Sequence, residues 1–207
     1  MLLRVLADAG AAGGPYLIGR REPRPLLRRR RPDIDGKRIS DMTTIDDLKH
    51  AFAGESQANR KYLAWAEQAE KDGLTGVAKL FRAVAAAETI HAHAHLKAMD
   101  GVADTRTNLA AAMAGEKEEY AEMYPPMVAR AEAEGNRRAA RSMRFALEVE
   151  KIHFELFGKA LAAVETGKDL GEIELRICPH CGHTVIGAAP DACPVCGCRG
   201  DAYIDVA

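Results

Sequence analysis

Glu-x-x-His occurs twice in this chain, at Glu88–His91 and at Glu150–His153. Both copies sit among helix formers, "AETIHAHAHL" and "FALEVEKIHFEL". Residues three apart on a helix project from one face, so each pair offers a carboxylate and an imidazole to a common centre. A lone pair of this kind is ordinarily a surface ion pair. Two copies on separate helices demand a fold that brings two helix faces together.

The remaining helical stretches supply what such a centre needs. A first helix opens at Thr43 or Thr44 as N-cap, carries Asp46 and Asp47 in its first turn, and closes at Asp72-Gly73. A second, about 76–100, closes at Asp100-Gly101. A third begins near Thr105 or Thr107, with a kink expected at Pro125-Pro126. A fourth starts at Asn136, reaches about Thr166 and closes at Gly167. Four long helices joined by short loops predict a bundle. Helix one offers Glu55, and helix three offers Glu116 and Glu119, again three apart.

One Glu from each of two helices plus Glu-x-x-His from each of the other two is the donor set of a di-iron carboxylate bundle. Iron accepts carboxylate and imidazole together, and two cations offset the repulsion among buried carboxylates. At about 100° per residue His93 points about 140° away from Glu88, and His95 lies about 10 Å further along the axis. His91 is therefore the candidate ligand, and His95 reads as a core or supporting histidine. Glu118, Glu122 and Glu148 read as solvated charges.

The C-terminal composition is different. All five cysteines fall in the last thirty residues, four of them as Cys178-x-x-Cys181-Gly182 and Cys193-x-x-Cys196-Gly197. Clustered pairs predict a tetrahedral four-thiolate metal site in a reducing compartment rather than a disulfide scaffold. Spacing alone does not choose between a structural zinc ribbon and a one-electron iron. Cys198 is a spare thiol that could be oxidised or act as an alternative ligand, and His180 and His183 read as surface residues.

Elsewhere composition excludes more than it assigns. With 29 Lys+Arg against 30 Asp+Glu, the net charge of −1 gives no reason to expect nucleic acid. No apolar run approaches the ~20 residues of a membrane span. Residues 1–41 carry ten of the basic residues and read as a disordered extension, or as sequence ahead of a working start at Met42. The expected domains are then 42–171, a four-helix bundle, and 172–207, a cysteine module.

The segments "FAGESQANRKYLAWAEQA", "AETIHAH", "GEKEEYAEMYPPM", "VEKIHFEL" and "CPHCG…DACPVCG" resemble, in order, those of the rubrerythrin family. The resemblance implies an all-α ferritin-like four-helix bundle followed by a small β-rich rubredoxin-like domain. It implies two non-haem irons held by Glu55, Glu88, His91, Glu116, Glu119, Glu150 and His153. One more iron, with zinc as the alternative, would be held by Cys178, Cys181, Cys193 and Cys196. It further implies that one iron moves between Glu119 and His91 with redox state, and that Tyr62 and Tyr124 lie beside the centre. The implied activity is reduction of hydrogen peroxide to water in the cytoplasm, as an oxidative-stress defence. Electrons would come from an unidentified rubredoxin or reductase, in a homodimer or larger homo-oligomer whose head-to-tail packing could pair one subunit's module with another's bundle. Two rivals compete with it. One is a ferritin-like ferroxidase with a structural zinc ribbon, and the other is a di-iron oxidase that uses dioxygen.

Overall fold

The computed structural model describes residues 33–34, 37–38 and 41–206. The chain divides into two units, residues 1–43 and 44–207. In the first, β1 (Asp33–Ile34) pairs antiparallel with β2 (Lys37–Arg38). Apart from these residues and Asp41, the expected N-terminal extension lies outside the described residues.

The second unit starts with α1 (Thr44–Lys71) and α2 (Thr75–Ala98). Asp46 and Asp47 face the positive end of the α1 dipole and Lys71 the negative end. Gly73, at φ 76°, ends the helix: its N–H donates to Glu70 O and the Leu74 N–H to Ala69 O. At the end of α2 the left-handed position is Asp100, φ 55°, rather than the expected glycine. Gly101 follows because a Cβ there would lie 2.5 Å from Leu96 Cδ1.

The third helix is interrupted. α3 (Thr105–Glu118), capped by Asp104, runs into a π-helical turn, Glu119–Met123, and then into α4 (Tyr124–Ala133). Pro125 and Pro126 were expected to kink the helix where they stand. They instead begin a fresh α-helical segment, and the lost backbone bonds are absorbed one turn earlier by the wider π register. α5 (Arg137–Glu165) follows, with the Asn136 side chain accepting from the Ala139 N–H.

These helices form two antiparallel hairpins. α1 packs along α2, while α3, the π turn and α4 pack along α5. The α1–α2 seam is built of alanine (Ala66, Ala69, Ala78, Ala85 and Ala92 are buried), which lets the backbones approach closely. Asn59 crosses that seam, its Nδ2 donating to Ala85 O at 2.7 Å and to Thr89 Oγ1 at 2.8 Å. In the other hairpin Val149 is buried, and Tyr120 meets Phe154 edge to face at 5.8 Å.

Last comes a three-stranded antiparallel sheet ordered β4-β3-β5, from β3 (Leu175–Ile177), β4 (Thr184–Ile186) and β5 (Ile204–Val206). Ile177 pairs with Thr184 on one side and Ile204 on the other, which fixes β4 against the cysteine turns. The fold is thus helical, with a small β-rich cysteine module at its C-terminal end.

Candidate metal centres

The two Glu-x-x-His pairs fall at equivalent heights, near the middle of α2 and of α5. Within each, the histidine Nδ1 faces its glutamate: 2.9 Å from His91 to Glu88 Oε2, and 2.7 Å from His153 to Glu150 Oε2. The neighbouring helix adds one carboxylate to each. Glu55, Glu88 and His91 place donor atoms within 4.8 Å of one another, as do Glu116, Glu150 and His153. Six of the seven predicted di-iron donors therefore assemble as two separate triads, one per hairpin, and Glu119 joins neither.

The second triad shows what such a cluster holds. Burial, a hydrogen bond with the Glu150 carboxyl and that group's charge push Glu116 up to about 7. Glu119 is also raised, first by burial and then by the charges of Glu150 and Glu118. It heads the π turn, close enough to feel Glu150 and His153 without joining the triad. Beside Glu116 and His153 lies a cavity of about 530 Å³, lined by apolar side chains apart from these two and Thr184. Carboxylates held together against an apolar wall favour a proton or a metal cation between them.

A histidine tautomer supports the same conclusion. His153 Nε2 lies 3.1 Å from Thr184 Oγ1, and that hydroxyl donates to Gly182 O at 3.0 Å. With its proton committed to the carbonyl, the hydroxyl accepts from Nε2–H, which leaves an Nδ1 lone pair facing Glu150 and Glu116. Two acceptors at 2.7 Å need a cation or proton between them, and a fixed outer N–H is how metal-binding histidines are oriented. The donor set fits the two irons that the motif implies.

Tyr124 sits next to this cluster, its hydroxyl raised by burial and then by Glu119, Glu150 and Glu116. Tyr62 lies on the other hairpin, stacked with Trp65 at 5.5 Å and Phe81 at 6.1 Å between ring centres. His93 is exposed, His95 half-buried, and neither joins a triad. Glu118, Glu122 and Glu148 are exposed, Glu148 pairing with Lys151 at 2.8 Å.

The cysteine module is two near-identical knuckles. Cys178 N–H donates to His183 O and Gly182 N–H to Cys178 O; Cys193 N–H donates to Cys198 O and Gly197 N–H to Cys193 O. Gly182 and Gly197, at φ 86° and 76°, allow each chain to double back. The four sulfurs cluster, with Cys178–Cys196 and Cys181–Cys193 both at 3.6 Å. A tetrahedron with metal–sulfur bonds of about 2.3 Å has edges near ~3.8 Å, so the thiols are pre-set for one ion. Burial opposes ionisation of Cys193, but hydrogen bonds from Tyr203 and the Cys196 and Val195 N–H groups bring it down to about 6.

One expectation is corrected here. His183 is buried rather than on the surface, its Nδ1 2.8 Å from the Tyr203 hydroxyl; His180 is exposed. Cys198 lies beside the four-thiolate cluster, 3.2 Å from Cys178 Sγ. Its thiol is pushed up to about 12, chiefly by the Cys178 hydrogen bond, so it stays protonated and donates to that sulfur. Thr184 had no signal in the sequence, because its role depends on where β4 docks against α5.

Comparison with known proteins agrees with this chemistry. The family model described as Rubrerythrin matches residues 46–161. Rubrerythrin-2 of Clostridium acetobutylicum is 34% identical over 179 residues, covering 80% of this chain and 97% of that protein. Rubrerythrin of Porphyromonas gingivalis is 34% identical over 176 residues, covering 77% and 88%. Rubrerythrin of Nitratidesulfovibrio vulgaris is 33% identical over 176 residues, covering 77% and 92%. Joined to the carboxylate–histidine triads and the four clustered thiols, these matches assign a di-iron centre and a cysteine-bound metal, and the chain belongs to the rubrerythrin family.

Proposed function

We propose that this protein is a peroxidase that reduces hydrogen peroxide to two waters, consuming two protons and two electrons. When bound, the paired irons supply those two electrons, and a cysteine-bound iron replaces them one at a time. The observation that carries the reading is His153, which faces the Glu116–Glu150 cluster through Nδ1 and the cysteine module through Nε2 and Thr184. A storage protein with a structural zinc ribbon has no use for such a link.

The chain's own groups have defined tasks in this reading. Glu55, Glu88, His91, Glu116, Glu150 and His153 hold the metals. Glu119, half-buried at the head of the π turn, and His91 act as exchangeable donors to one metal. Glu116, raised to about 7, holds a proton near neutrality in the metal-free site. Tyr124 stays protonated beside the carboxylates and can pass its proton to a departing oxygen; Tyr62, packed against Trp65 and Phe81 on the other hairpin, is the second candidate for that transfer. The largely apolar cavity beside Glu116 and His153 admits a small neutral oxidant while limiting bulk water.

Thr184 meets His153 of its own chain, which favours an electron route within one chain over the head-to-tail alternative. We place the protein in the cytoplasm, in keeping with five cysteines that form no disulfide. Among the described residues no helix is long and apolar enough to cross a membrane. The electron donor is taken to be a rubredoxin or reductase. The deciding experiment mixes reduced, iron-loaded protein with peroxide or with dioxygen, anaerobically and in separate runs. Faster reoxidation of the di-iron centre by peroxide is expected; faster reoxidation by dioxygen overturns the peroxidase in favour of an oxidase or ferroxidase.

A further inference from the structure

The donors of one di-iron centre are divided between two hairpins that, among the described residues, share no substantial packing. Glu55, Glu88 and His91 sit on α1–α2, and Glu116, Glu150 and His153 on α3–α5. Substantial helix packing is confined to each hairpin, with α1 on α2 and α3–α4 on α5. Neither triad alone has enough donors for two metals.

The loop between the hairpins explains the division. A ferritin-like bundle needs one long crossover, so that its second and third helices run parallel. Here the link is residues 99–104, between Ala98 and Thr105. Glu88 lies ten residues before the end of α2, and Glu116 eleven residues after the start of α3. Aligning them in parallel helices would put the two helix ends about 30 Å apart along the axis. Seven Cα steps reach at most about 25 Å when fully extended. This link is also far from extended. Gly101 N–H folds back to Leu96 O, and Ala103 and Asn108 exchange two hydrogen bonds at 3.0 and 2.8 Å.

Burial carries the same message. Among the described residues the buried apolar side chains are alanines, Val149, Cys178 and Cys193, with no leucine, isoleucine, phenylalanine or methionine. A finished four-helix bundle buries such residues in every layer. On α1–α2, Trp65, Val77 and Leu80 are 49%, 41% and 64% exposed instead. Val77 is three turns before Glu88, on the same face. The His91 side chain, a candidate ligand, is 56% exposed.

We propose that two copies of this chain exchange hairpins. The α1–α2 hairpin of one copy packs on α3–α5 of the other, and each di-iron centre is shared between chains. Each centre takes Glu55, Glu88 and His91 from one copy, with Glu116, Glu119, Glu150 and His153 of the partner subunit. The exchange of one metal between His91 and Glu119 then crosses the subunit boundary, whereas the cysteine module stays with its own α5. A short hinge that prevents closure within one chain is a common origin of such swapping. The inference rests on the family's di-iron centre and not on peroxide as substrate.

A complementation experiment tests it. One variant carries Glu88→Ala and His91→Ala, and the other Glu150→Ala and His153→Ala. They are co-expressed under different tags, purified in tandem, and assayed for iron per dimer beyond the two cysteine sites. Each variant alone loads metal only at its cysteines. In a swapped mixed dimer both damaged hairpins meet in one bundle and both intact hairpins in the other. Two extra irons per mixed dimer are therefore expected. No extra iron, or a wild-type chain that sediments as a monomer, overturns the proposal. Helicity and cysteine-site loading of the same samples report folding, and the milder pair Glu88→Gln and Glu150→Gln repeats the test with side-chain shape preserved. Because the readout is metal content, a failed peroxidase assay leaves this result standing.

Discussion

His153 Nε2 is 3.1 Å from Thr184 Oγ1, so a histidine of the carboxylate cluster is hydrogen-bonded to the first residue of a strand in the cysteine module. The contact fixes the imidazole tautomer and couples the geometry of one metal site to the position of the other. Thr184→Val keeps the side-chain shape and removes the acceptor. The expected result is about a 10- to 100-fold loss in metal affinity at that site or in its reduction rate. Thr184→Ser should behave like the parent. Equal rates and affinities in the valine variant would show that the contact orients nothing.

Glu119 sits at the head of the π turn, near Glu150 and His153 but outside the triad. Glu119→Ala should slow peroxide turnover while leaving two irons bound per centre. Metal analysis and steady-state turnover on one sample check both halves. Unchanged turnover would remove Glu119 from the mechanism, and lost iron would make it an obligatory ligand.

The metal-free protein should respond to pH through Glu116. Burial and the facing Glu150 carboxyl raise it from 4.5 to about 7. Between those values the folded chain binds more protons than the unfolded one. The stability linked to Glu116 is therefore greatest below about 4.5 and declines as pH rises through about 7. Thermal melts of metal-free protein across that range should show a falling midpoint, and Glu116→Gln should flatten the fall. Metal affinity should move the opposite way, rising with pH as the proton is displaced more easily. A variant with the same melting profile as the parent would contradict this assignment.

The alanine seam of α1–α2 leaves no room for larger side chains. Ala85 is fully buried, and its carbonyl accepts from both Asn59 and Thr89. Ala85→Leu should force the helices apart and cost about 1–3 kcal/mol by chemical denaturation. A neutral result would mean that the hairpin is looser than its packing indicates.

Much of this architecture could be read from residue order. Helix ends follow from Asp46, Asn136, Gly73 and Gly167, and the knuckles from two Cys-x-x-Cys-Gly repeats, because these signals act over a few residues. The two Glu-x-x-His pairs gave the nature of the centre for the same reason. Relationships that depend on distant packing were not legible. The π turn moved the effect of Pro125 and Pro126 back to Glu119, and His183 became buried only once Tyr203 closed over it. Thr184 met His153 through docking of β4. The consequence of the short link at 99–104 depends on its reach relative to the heights of Glu88 and Glu116 on their helices, which no local signal encodes.

In the proposed peroxidase, cysteine-bound iron would feed the carboxylate–histidine centre. The most direct measurement is rapid mixing of fully reduced, iron-loaded protein with peroxide while the ferric-thiolate absorption is followed. Di-iron oxidation is predicted first, then growth of the ferric-thiolate band at a rate independent of protein concentration and slowed in Thr184→Val. A cysteine site that stays reduced while peroxide is consumed, or that loads only zinc, would contradict the account.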